Sequence, residues 1–188
     1  MPLTKATFRE DCLKKIRKNQ MRNLLFKKSK INSNLQKIVK KIKAKNILTF
    51  NSLPFEADIR KTTNLFRKKY NLFVPLMQGE SFKMVPFRLP LKKSKFGIYE
   101  AGNSLRNIKK IDIAIVPAVG VDGKLQRIGF GKGMYDSFFA KLKKRAYIIF
   151  VQPELCHTKE FVCDDYDIDC DLLITPKVIM HNMAKNRK

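Results

Sequence analysis

The sequence predicts a single α/β domain over residues 1–188, with a largely parallel central sheet, flanking helices and a site at the carboxyl ends of the strands. Three observations predict it. Short β-rich apolar runs alternate with segments of helical period, the order that builds a parallel sheet. The run IDIAIVP (111–117) is almost wholly apolar and ends in proline, as a strand buried on both faces does. A glycine cluster then follows that run and enters another helical pattern, and ligands of such sheets bind beyond the carboxyl ends of the strands.

The elements follow in order. Residues 5–18 put Phe8, Cys12, Leu13 and Ile16 on one helical face. The same period continues over 20–44 through Leu24, Leu25, Ile31, Leu35, Ile38, Val39 and Ile42, with a break expected at INSN, 31–34. NILTF (46–50) reads as a short buried strand, and NSLPFEAD leads into a helix over 57–69. LFVPLM (72–77) and FKMVPF (82–87) read as strands, and a helix is expected over 132–144. AYIIFV (146–151) and DLLIT (171–175) complete the strands. His181 falls in a lysine-rich tail expected to fray, and is assigned nothing.

Composition narrows the class. Hydrophobic residues make up 44% and charged residues 30%, a globular balance in a chain long enough for a sizeable core. No apolar run approaches the roughly 20 residues that span a bilayer, and the opening MPLTKATFRED lacks the apolar stretch of a secretory leader. A soluble cytoplasmic protein without membrane partners is expected. The cysteines (Cys12, Cys156, Cys163, Cys170) suggest no disulfide framework in a chain of this size. Cys156, Cys163 and Cys170 recur at seven-residue spacing beside His157, without the C-x2–4-C pairs of structural zinc, so zinc is not expected.

The net charge of +24 is unevenly placed: residues 1–110 carry 28 Lys+Arg against 6 Asp+Glu, residues 111–188 carry 12 against 10. Phosphate neutralisation on nucleic acid is one reading of such a field. Thirty of the 40 cations are lysine, however, scattered through helical segments, whereas base readout favours arginine. No specific nucleic-acid partner is expected, and a basic nucleic-acid-binding protein is kept as the alternative. An anionic small substrate would be drawn by the same field.

The stretch RIGFGKGMYD (127–136) holds three of the chain's 8 glycines at alternate positions. Glycine loses the most conformational freedom on folding, so such clustering needs a local reason. A main chain bared of side chains lets backbone amides approach an anion; a plain glycine turn over a helix start is the competing account. The common phosphate loops do not fit. Met134 stands where GxGxxG needs its third glycine, and Gln126 where GxxxxGK[ST] needs its first.

With its surroundings this segment resembles the signature of the 5-formyltetrahydrofolate cyclo-ligase family: a strand ending in Pro117, a loop bearing Asp122, then Arg127, Ile128, Gly129, Gly131, Lys132, Gly133, Tyr135 and Asp136. Lys5 and Arg9 resemble the family's amino-terminal K-x-x-x-R pair, and LPFEAD (53–58) its folate-contacting loop, with Glu56 and Asp58 at the acidic positions. KFGIYEA (95–101) and DIDCDLLIT (167–175) resemble two further segments, in the right order. Met134, Ala101 and Ser137 depart from the usual pattern.

The resemblance implies conversion of 5-formyltetrahydrofolate (polyglutamylated forms included) and ATP to 5,10-methenyltetrahydrofolate, ADP and phosphate, with Mg²⁺ as cofactor. It implies that the formyl oxygen is phosphorylated first, which turns a poor leaving group into a good one. Lys132, Arg127 and Tyr135 are the expected catalytic residues. ATP is expected at Lys5, Arg9, Arg127, Gly129, Gly131, Lys132, Gly133 and Tyr135, and folate at Leu53, Glu56, Asp58, Phe130 and Met134. Asp136 and Asp171 are the expected Mg²⁺ ligands, since that ion takes one or two carboxylates plus phosphate oxygens.

Overall fold

The computed structural model describes residues 2–79, 81–93, 99–104, 108 and 110–185. Two helices open the chain, α1 (Lys5–Asn19) and α2 (Leu24–Lys41), followed by strand β1 (Asn46–Leu48) and helix α3 (Arg60–Phe66). Strands β2 (Asn71–Gln78), β3 (Ser81–Pro86), β4 (Lys92–Lys93), β5 (Tyr99–Glu100), β6 (Ile113–Pro117), β7 (Gly120–Val121) and β8 (Arg127–Ile128) come next. Helix α4 (Met134–Phe139) and strands β9 (Tyr147–Val151), β10 (Leu172–Ile174) and β11 (Ile179–His181) complete it.

The main sheet has the order β11-β10-β9-β6-β1-β2-β3, parallel from β10 to β2 and closed at each edge by an antiparallel strand. Strand β6 sits at its centre, and side chains alternate across it. Ile113 and Ile115 join Ile31, Leu35 and Val39 of α2 on one face. Ala114 and Val116 join Tyr135, Phe138 and Phe139 of α4 on the other. That two-sided burial is why the strand is apolar throughout rather than alternating. Helix α1 instead packs Cys12 and Ile16 on Val119, just past the carboxyl end of β6.

The differences from expectation have local causes. Helix α2 runs unbroken through INSN, because the Asn32 amide finds partners in the fold: it donates to the Lys28 and Asp58 carbonyls and accepts from the Thr62 N–H. The break falls earlier, where Asn23 takes a left-handed conformation (φ 51°). Helices α3 and α4 are shorter than periodicity suggested, ending in turns at Arg67 and Ala140. The tail does not simply fray: residues 179–181 form β11, with His181 paired to Leu172. Cys12 and Cys156 form a disulfide across 144 residues of chain, contrary to the expectation from cysteine number alone, while Cys163 and Cys170 are free thiols.

Candidate active site

Past Pro117 the chain turns through β7 and β8 and returns along the mouth of the sheet. Asp122 makes that turn: fully buried, it accepts the N–H groups of Lys124 and Gln126 at 2.9 Å and of Cys163 at 3.4 Å. Arg127 follows and is pinned. Its Nε donates to the Pro117 carbonyl at 2.9 Å, its Nη1 lies 3.5 Å from Asp136, and its guanidinium covers the Tyr135 ring at 4.8 Å. Arg127 therefore reaches a ligand only as a fixed positive wall, not as a mobile finger.

The three glycines have three different reasons. A Cβ at Gly129 would lie 2.5 Å from the Arg127 guanidinium, which cannot yield because it is held at both ends. Gly131 (φ +113°) and Gly133 (φ +58°) hold backbone conformations that side chains disfavour, over open space. The loop is thus bare main chain with exposed Lys132 upon it. Helix α4, of six residues, is too short to add the dipole expected of a longer helix here.

Helix α1 docks on this loop. Arg9 Nε donates to the Gly129 carbonyl at 2.9 Å. One turn earlier Lys5 pairs with Asp167 and with Asp164 (2.9 Å). Burial opposes the Lys5 charge, but those hydrogen bonds outweigh it and raise its pKa. The amino-terminal pair and the glycine loop, 120 residues apart, are brought together.

Asp136 is buried, accepts the Ile168 N–H at 3.1 Å and faces Arg127. Burial, only partly opposed by the Arg127 charge, pushes its pKa up. Asp171 is elsewhere. It is clamped by Arg145 at 2.7 Å and accepts the Ile148 N–H at 2.7 Å, beside the first residue of β10 and towards the amino-terminal ends of the strands. Asp112 does the same for the N–H groups of Lys45 and Asn46. The structure does not bring Asp171 to Asp136, because strand position and Arg145 hold it at the other end of the sheet. The acid whose charge is felt at Asp136 is Asp167.

Beside this loop opens a cavity of about 640 Å³, within the usual range for a small-molecule site. Leu53, Glu56 and Asp58 line it as expected, but Phe130 and Met134 do not. Met134 packs on the core below α4, and Phe130 is 41% exposed on the loop. Asp58 is ion-paired to Arg60 (2.6 Å) and Lys28 (3.1 Å). The Arg60 bond outweighs burial and holds Asp58 well below the usual carboxylate range. For Glu56, burial outweighs the lowering effects of the Leu53 N–H and the Arg127 charge, and its pKa is pushed up to about 7. Burial likewise raises the Tyr135 phenol, which stays protonated and serves as packing for Phe82 and Arg127.

Sequence reasoning missed Phe50, Lys27, Phe87 and Glu154, which also line the cavity. They come from four distant segments and carry no spacing signal. Of KFGIYEA, residues 95–98 and the side chain of Glu100 lie outside the described residues; Ala101 is buried with Val74 and Val85. Among the described residues no group of three or more His, Cys, Asp or Glu side chains could hold a metal, and no helix is long and apolar enough to cross a membrane.

Comparison with known proteins bears on family and fold. The model of the 5-formyltetrahydrofolate cyclo-ligase family matches residues 3–176. A Schizosaccharomyces pombe protein described as a probable 5-formyltetrahydrofolate cyclo-ligase is 26% identical over 163 residues, covering 75% of this chain and 79% of its own. The solution structure of Aquifex aeolicus 5,10-methenyltetrahydrofolate synthetase superposes with a TM-score of 0.79 at 25% identity, over 96% of this chain and 94% of that one. A Mycoplasma pneumoniae 5,10-methenyltetrahydrofolate synthetase shares the fold, with a TM-score of 0.67 at 18% identity over 93% and 99% of the two chains.

Proposed function

Because the chain belongs to the 5-formyltetrahydrofolate cyclo-ligase family, we propose that it cyclises 5-formyltetrahydrofolate to 5,10-methenyltetrahydrofolate with ATP and Mg²⁺, releasing ADP and phosphate. The observation that carries this reading is the hydrogen bond from Arg9 to the Gly129 carbonyl, which seats α1 on a bare glycine loop next to the Glu56-lined cavity. A triphosphate needs close main-chain approach and cations; a folate needs a roomy, half-apolar cavity. Both lie side by side here.

Phosphoryl transfer asks the protein mainly for positioning and charge neutralisation. The ATP phosphates lie along Gly129, Gly131 and Gly133, with Lys132 following the transferring group, Arg9 and Lys5 on the α1 side, and Arg127 and Tyr135 forming the floor. The folate fills the cavity along Leu53, Glu56 and Asp58, with Phe130 and Met134 flanking the loop rather than lining the pocket. The formyl oxygen attacks the γ-phosphorus, N10 attacks the activated carbon, and phosphate leaves.

The residues present suit a metal that arrives with the nucleotide. Asp136 is a buried carboxylate with one oxygen bound by the Ile168 N–H and the other in a long, 3.5 Å contact with Arg127, the weaker of its two contacts and the one a hard cation would share. Mg²⁺ takes few protein carboxylates when phosphates supply its other oxygens, so the lack of a three-residue cluster among the described residues is no obstacle. When bound it would neutralise charge on the phosphates. Asp171 is left out of that site, being committed to Arg145.

We place the enzyme in the cytoplasm. The Cys12–Cys156 bond, of a kind uncommon in that compartment, is buried at both ends. The test is incubation with ATP, Mg²⁺ and 5-formyltetrahydrofolate, watching the near-ultraviolet band of the methenyl product. Turnover that needs all three is expected; no absorbance change beside an active control enzyme rejects the reading.

A further inference from the structure

Three carboxylates line the large cavity: Glu56, Asp58 and Glu154. Two are committed, Asp58 to Arg60 and Lys28, and Glu154 to Lys27 at 2.9 Å. Glu56 has no cation at ion-pair distance among the described residues. Its Oε2 accepts the Leu53 N–H at 2.9 Å, and its own N–H closes the same turn on the Leu53 carbonyl at 3.0 Å. The main chain thus fixes one oxygen and leaves the other to a ligand.

Glu56 also links the two halves of the site. From the glycine-loop side its charge interacts with Arg127 and with the buried Tyr135 phenol. From the cavity side its charged neighbours are the Asp58–Arg60–Lys28 and Glu154–Lys27 groups, each paired internally. A substrate whose formyl group faces a phosphate on the loop, and whose rings fill the cavity, must pass this residue.

Resting on the cyclo-ligase reading, we propose that Glu56 is the base that removes the N10 proton during ring closure. After phosphorylation of the formyl oxygen, the N10 lone pair forms the new bond to the formyl carbon and the C=N5 π pair moves onto N5. N10 is then cationic and strongly acidic, and its proton passes to the free Glu56 oxygen. The N5 pair re-forms C=N5 as the C–O bond breaks, and phosphate leaves with that pair. Glu56 hands the proton to the departing phosphate or to water. One proton is released and nothing is oxidised or reduced. A carboxylate titrating near neutrality suits the task, since a general base works best with a pKa near the operating pH.

Single-turnover conversion at saturating ATP and Mg²⁺, followed by the methenyl band across about pH 5.5–8.5, tests this. The wild-type rate should rise with pH through an inflection near neutrality. Glu56→Gln keeps an oxygen for the Leu53 N–H, so it should fold with an unchanged thermal midpoint. It should nevertheless close the ring roughly 10²–10⁴-fold more slowly and lose the inflection. Glu56→Asp, which keeps a shorter base, should retain the inflection at reduced rate. A Glu56→Gln rate within about threefold of wild type, a retained inflection, or an effect confined to KM overturns the proposal. If Glu56→Gln fails to fold, loss of the inflection in Glu56→Asp does so. A wild-type enzyme that makes no methenyl product overturns the cyclo-ligase reading itself, which separates the two failures.

Discussion

Individual residues carry the division of labour at the mouth of the sheet. On the proposed reading Lys132 stands on bare main chain where charge moves during phosphoryl transfer, and a preorganised donor in such a place is worth roughly 2.7–4 kcal/mol of barrier. Lys132→Ala should therefore cut turnover at saturating ATP about 10²–10³-fold with an unchanged melting curve; near-wild-type turnover would reduce it to a solvated surface lysine. The two aspartates part company. Asp136→Asn keeps the shape and one acceptor but removes the negative charge a hard cation favours, so it should raise the Mg²⁺ requirement and depress turnover strongly. Asp171→Asn loses the clamp on Arg145, and should lower the thermal midpoint with the Mg²⁺ requirement unchanged. A shared rise in Mg²⁺ requirement would restore Asp171 to the metal. The glycine cluster was legible in the sequence as an anomaly, and its resemblance is what suggests a nucleotide loop. Its three separate causes were not, since a collision with a pinned arginine and two positive φ values are visible only once the chain has turned. Asp171 misled for a related reason: sequence order does not say at which end of a strand a carboxylate finds its partner.

At the level of elements, α1 does more than cover the core: it docks on the glycine loop. It starts on a capping box made by Thr4 and Thr7, buries Cys12 and Ile16, and delivers Arg9 to the loop. The disulfide fastens it near its middle. Cys12→Ser should therefore do two things. The thermal midpoint should fall, since removing a cross-link typically costs about 2–4 kcal/mol. The KM for ATP should rise more than the KM for the folate, because the cavity is walled mainly by α2, α3 and their loops. Equal rises in both would mean that α1 supports the whole fold and not the nucleotide side in particular. Strands β1, β2, β3, β6, β9 and β10 were legible to within two residues at either end, most clearly β6 and β9, which are apolar on both faces, whereas the short strands β4, β5, β7 and β8 carried no signal. Helix ends were less so. The α2 boundary depended on what Asn32 would find across the fold in Asp58 and Thr62, and β11 on an edge that only β10 supplies.

For the whole molecule, the excess of cations over residues 1–110 remains the strongest global property. Several of those cations have specific partners: Lys5, Lys27, Lys28 and Arg60 are all ion-paired, and Arg9 is bound to a carbonyl. The remaining field draws anions without selecting among them. Binding to DNA or RNA should accordingly be weak near physiological ionic strength, indifferent to sequence, and steeply reduced by added salt in a titration of affinity against log[salt]. Tight, selective binding at that ionic strength would promote the nucleic-acid reading. Fold class and family were readable at this scale because the strand order and the motifs agree; the cavity was not, being assembled from segments as far apart as Gln20 and Glu154. The hydrogen bond between Arg9 and Gly129 has a further consequence, in the timing of synthesis. The two partners leave the ribosome 120 residues apart, an interval of roughly 6–24 s at ordinary elongation rates. Through that interval α1 can meet Pro54, Phe55 and Val119 but not the glycine loop, so a chain that ends before Gly129 lacks the loop that the proposed nucleotide site needs. On the proposed reading, ATP can be engaged only once Gly129 has been made and has met Arg9.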